Sequence, residues 1–121
     1  MKAQAAARER YESTGKMDVE KYSSRVISEY QHRAALQGAQ MGRASTVYVA
    51  AENVSVGEGV NAGRAGKVAG AAIDGYEAKV GKGMEPEKAR NETAKEMAKR
   101  FDERGYDLER KTQRSRDGLS L

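Results

Sequence analysis

Two stretches of this chain carry glycines at spacings that elsewhere serve nucleotide chemistry. Gly57-Glu58-Gly59-Val60-Asn61-Ala62 fits the pattern G-x-G-x-x-A. In that pattern a bare backbone turns tightly ahead of a helix, and its N–H groups approach a pyrophosphate. Glu77 stands at the sequence distance of a ribose contact, but the periodicity places it inside a helix. The second stretch, Asn61 to Val68, has the Gly66-Lys67 step of a phosphate-binding loop. It has Asn61 where the first glycine belongs and Val68 where a hydroxyl would meet Mg²⁺. With 121 residues there is no room for a doubly wound sheet. Neither match predicts a nucleotide site, and no cofactor or small-molecule substrate is expected.

Other reactive groups are few. The chain has no cysteine and a single histidine, His32, which excludes zinc-thiolate sites, disulfides and a nitrogen-rich metal centre. His32 reads as a surface residue. Glu92, Lys95, Glu96, Lys99 and Arg100 lie at i,i+3 and i,i+4 spacings, the pattern of a solvated, ion-paired helix face. Nothing desolvates them as catalytic carboxylates require. The expectation is a protein that is not an enzyme. A basic tail, with Arg110, Lys111, Arg114 and Arg116, is the one cluster of single sign. It suits contacts with nucleic-acid phosphates or with another partner. A mobile, solvated tail and an address for export machinery are the alternatives. The tyrosines Tyr11, Tyr22, Tyr30, Tyr48, Tyr76 and Tyr106 mostly fall on apolar stripes and suit core positions better than stacking platforms.

These groups belong to a chain that can bury little. Leu, Ile, Val and Phe make up 16 of 121 residues, whereas alanine alone supplies 19. Burial stabilises by roughly 25 cal/mol per Å², against the entropy of ordering the chain. A core of Ala and Val is therefore marginal alone, and stabilisation by self-association or by a helical protein partner is expected. The formal net charge is only +4, too small to drive disorder by itself. Charge is sparse in the middle: residues 45–83 carry 4 basic and 4 acidic groups, against 10 and 9 in residues 84–121. The N-terminus has charges where a signal peptide needs an apolar run, and no stretch is apolar for long enough to span a bilayer. An intracellular location follows as the expectation, with incorporation into a larger particle left open and membrane contact not expected.

Periodicity predicts an all-α fold of three to four helices over residues 1–108, followed by the basic tail 109–121. The Ala run predicts a helix over 2–12, ended by Ser13-Thr14-Gly15. Asp18 caps a second helix, with Met17 and Tyr22 as a hydrophobic staple and Val19, Tyr22, Val26 and Tyr30 as its stripe. That helix weakens at Gly38 and Gly42. Residues 45–56 are ambiguous. Val47, Ala51 and Val54 have helical spacing, but Thr46–Val49 and Val54–Val56 alternate like short strands, and the balance tips to helix. From Asn61, a seam of Ala62, Ala65, Ala69, Ala72, Ile73, Tyr76 and Val80 predicts a third helix that breaks at Gly81-Lys82-Gly83. Pro86 opens the last helix, with Met84 stapled to Ala89 and Ala94, Met97 and Phe101 buried. Gly105 suits a left-handed ending that lays Tyr106 on Phe101.

Beside the central seam runs a strip of glycines. Gly59-x-x-x-Gly63 and Gly66-x-x-x-Gly70 are small-x-x-x-small pairs, which let helix axes approach closely. Each glycine inside a helix costs about 1 kcal/mol relative to alanine, so only intimate contacts offset Gly63, Gly66 and Gly70. A flexible linker is the plain alternative, and the Ala and Val seam argues against it. The packing interface expected from the sequence comprises Gly59, Gly63, Gly66, Ala69, Gly70 and Ile73. The partner is another copy of the chain or a helical protein.

Overall fold

The computed structural model describes residues 15–37 and 42–109. Among them stand four helices: α1 (Val19–Gln37), α2 (Arg43–Asn53), α3 (Ala62–Gly81) and α4 (Pro86–Arg100). No strand occurs among the described residues. The all-α expectation holds, and the helix expected over 2–12 lies outside them.

Helices α1 and α3 start at side-chain caps, whereas α2 and α4 begin at Gly42 and Glu85 with no side-chain cap hydrogen bond. Asp18 Oδ1 accepts from the Lys21 amide at 3.0 Å, and the staple residues Met17 and Tyr22 are both buried. The α1 stripe continues through Val26 and Ile27, which are fully buried, and ends before Ala34, which is exposed. Residues 43–53 are helical rather than extended. This spacing lays Val47, Ala51 and Val54 against the core together, with Thr46 and Ala50 buried beside them. Short strands here would have needed a sheet edge for their N–H groups. Asn61 Oδ1 accepts from the Arg64 amide at 3.1 Å and caps α3. Pro86 occupies the first turn of α4, and the α3–α4 connection turns at Gly83, whose φ is +97°.

Helix α3 is central: it packs on α1, α2 and α4, and α1 packs on all three others. Ala65, Val68, Ala69, Ala72, Ile73 and Tyr76 of α3 meet Val26 and Ile27 of α1 and Ala89, Met97 and Phe101 from the α4 side in one apolar cluster. Gly75 admits α4 closely. A Cβ there would stand 3.1 Å from Thr93 Cγ2.

The ending of α4 differs from the expected left-handed cap. Phe101 is extended and forms an isolated antiparallel bridge with Asp107, and Gly105, at φ +84°, lies in the turn between them. Asp102 Oδ1 draws the turn shut by accepting from the amides of Arg104 (2.9 Å) and Tyr106 (3.0 Å). The Arg64 guanidinium lies 3.9 Å from the centre of the Tyr106 ring. The chain entering α1 is wedged beside this turn, with the Met17 amide donating to the Glu103 carbonyl at 2.7 Å. On its other side Gly15 touches backbone. A Cβ at Gly15 would fall 2.1 Å from the Gly59 carbonyl carbon.

Candidate interaction face

On a helix with 3.6 residues per turn, residues 63, 66, 67, 70, 74 and 78 share one side. In α3 that side is opposite the core seam. Gly63, Gly66, Lys67, Asp74 and Ala78 are exposed, and Gly70 is half-buried. A Cβ at Gly66 or Gly70 would meet nothing within 4 Å, and one at Gly63 would meet only its own cap, Asn61 Oδ1, at 3.2 Å. Among the described residues the strip is therefore a smooth outer surface that no other helix covers. Its glycines lower helix stability by about 1 kcal/mol apiece, and at Gly66 and Gly70 no packing among the described residues offsets that.

The six residues expected at the interface separate into three groups. Gly63, Gly66 and Gly70 lie on the outer face. Ala69 and Ile73 are fully buried in the chain's own core, so the face on α3 does not include their side chains. Gly59 is outside α3, in a turn at φ +78°, so its spacing from Gly63 is not a helical pair. Arg110, Lys111, Arg114 and Arg116 lie outside the described residues.

The strip is flanked by charge. Lys67 makes no ion pair among the described residues. Toward the C-terminal half, Arg43 of α2 reaches across to Asp74 Oδ1 at 2.5 Å and to Glu77 Oε1 at 2.7 Å. Glu77 Oε2 in turn accepts from the Tyr30 hydroxyl at 2.8 Å, so one carboxylate ties α1, α2 and α3 together. Hydrogen bonding to Glu77 and then to Asp74 raises the Arg43 guanidinium above its ordinary value. Burial, followed by the bond to Glu77, raises the Tyr30 phenol. Nearby, Gln31 Nε2 donates to the Tyr76 hydroxyl at 2.6 Å. On the α4 side Lys79 Nζ meets Glu96 Oε2 at 2.7 Å.

This arrangement holds Glu77 inside a structural cluster, away from the Gly57–Ala62 turn in role. No strand precedes that turn, and the Asn61 side chain occupies an amide at the start of α3. The ion pairs expected along α4 are replaced by longer-range ones, Lys79–Glu96 and Arg100–Asp107. His32 is exposed, as expected. Among the tyrosines, Tyr22 and Tyr76 are buried, whereas Tyr48 is 66% exposed. Among the described residues, no group of three or more His, Cys, Asp or Glu could hold a metal ion. No described helix is long and apolar enough to cross a membrane.

The Arg43 cluster was not foreseen from the sequence, because its members are separated by more than thirty positions. The seven-residue spacing of Lys67 and Asp74 on the glycine strip was visible there and is the signal that marks the face as charged at both ends. No family model, curated protein or solved structure matches this chain.

Proposed function

We propose that this chain is a non-enzymatic assembly or interaction subunit whose helix α3 lies close against a second helix, within a homo-oligomer or on a protein partner. One observation carries the proposal: Gly66 and Gly70 sit inside a helix, with open space where a Cβ would be. Alanine at either position would strengthen the helix by about 1 kcal/mol. Close approach of a second backbone is the contact that glycine permits and alanine hinders. A core drawn largely from Ala, Val and a few larger side chains adds to the need for such a contact.

Light scattering combined with circular dichroism on dilution tests this. Gly66→Leu adds an isobutyl group at an open position, so the helical signal should persist while assembly is lost. Assembly that is indifferent to Gly66→Leu would remove α3 as the contact, and a chain that stays a folded monomer at every concentration would remove the homo-oligomer.

A further inference from the structure

We infer that the helix seated on α3 is the α3 of a second copy, laid antiparallel, with a two-fold axis crossing between Gly70 and Ala71. This rests on the reading of the α3 face given above and adds the partner's identity and direction. The charges, not the glycines, select them.

Lys67 and Asp74 are seven residues apart and differ by only about 20° around the helix. They therefore share the outer face, separated by about 10.5 Å along the axis at 1.5 Å per residue. Residues 67 and 74 are equally far from the point between 70 and 71. A two-fold axis at that point, perpendicular to the helix and lying in the interface, reverses the second copy. It leaves each residue on the same side of the contact. Lys67 of one copy then stands opposite Asp74 of the other, and the same pair recurs on the far side of the axis. The residues between and beyond them that face the partner are small: Gly63, Gly66, Gly70 and Ala78.

A parallel pair would instead place Lys67 against Lys67 and Asp74 against Asp74, which is repulsive at both levels. Both groups are exposed on this face. Lys67 has no ion-pair partner among the described residues, and the Asp74 side chain remains 70% exposed although Arg43 engages its Oδ1. A contact in which each residue meets the other's counterpart is the self-complementary surface that a two-fold dimer requires.

Charge exchange tests the geometry. The dissociation constant of the full chain is measured by sedimentation equilibrium for the unmodified protein, Lys67→Glu, Asp74→Lys, the double exchange and Gly66→Leu, with circular dichroism confirming the fold of each. Each single reversal sets like charges opposite each other at two places per dimer and should weaken association by about tenfold. The double exchange re-forms both pairs in reversed polarity and should restore an affinity near that of the unmodified chain. Single reversals without effect, or a double exchange no better than the singles, would overturn the antiparallel pairing. If Gly66→Leu still abolished association in that case, α3 would stand as a packing face for some other arrangement. An unmodified chain that never self-associates would overturn the inference and leave a different protein as the occupant of the face.

Discussion

Replacing Gly66 and Gly70 together by alanine separates what these residues do inside the chain from what they do outside it. Both have ordinary helical backbone angles, since the positive-φ glycines are Gly59, Gly83 and Gly105. A methyl group at either site meets no atom within 4 Å, so no strain opposes the gain in helix propensity. That gain is about 1 kcal/mol per site, roughly 2 kcal/mol for the pair. For a domain of this size it corresponds to a rise in Tm on the order of 8 °C or more. Urea and thermal unfolding followed by circular dichroism, at dilutions where the chain is dissociated, would measure it. Association should move the other way, because two methyl groups hold the partner backbone off. A double variant that is less stable when dissociated would refute the reasoning, since the glycines would then be needed by the fold itself. A variant that is more stable and associates as well as the unmodified chain would refute the close contact.

Three further outcomes follow from the packing. Gly15→Ala places a Cβ against the Gly59 backbone and should destabilise by about 1–3 kcal/mol in urea unfolding; a neutral result would mean the Gly15–Gly59 approach is not held in solution. Thr93 is fully buried and its Oγ1 has no hydrogen-bond partner, so Thr93→Val should stabilise by about 1 kcal/mol in the same assay; a loss would show that the hydroxyl is satisfied. Hydrogen bonding by Arg33 holds the Glu29 carboxyl below its ordinary value of 4.5. Its contribution is complete above that value and is lost as pH falls through the lower, folded-state value. Glu29→Gln should therefore flatten the fall of stability in that acid window, and an unchanged pH profile would contradict the assignment.

The fold was legible where short-range chemistry decides it. Asp18 as cap, Pro86 at a first turn and the stripe of Ala94, Met97 and Phe101 are read within one or two helical turns, and the structure has them in those places. The ending of α4 was not legible, because an aspartate outcompetes the expected glycine cap. Asp102 captures two amides and sends Phe101 into an extended bridge with Asp107. The candidate face on α3 was half legible. Periodicity tells which residues share a side of α3, but not what covers that side. Ala69 and Ile73 were therefore assigned outward with the glycines, although both are fully buried in the chain's own apolar cluster. Only the fold separates a seam buried by its own chain from a strip left open.

Zero-length carbodiimide cross-linking of a mixture of natural-abundance and ¹⁵N-labelled chains tests the proposed dimer most directly. Within one copy, Lys67 and Asp74 are about two helical turns apart, too far to be joined without a spacer, so a Lys67–Asp74 cross-link can form only between copies. Lys79 and Glu96, 2.7 Å apart in the same chain, provide the internal control. The predicted result is a Lys67–Asp74 peptide carrying one light and one heavy half, alongside an unmixed Lys79–Glu96 peptide. Recovery of the control alone, at concentrations where the chain associates, would contradict the account.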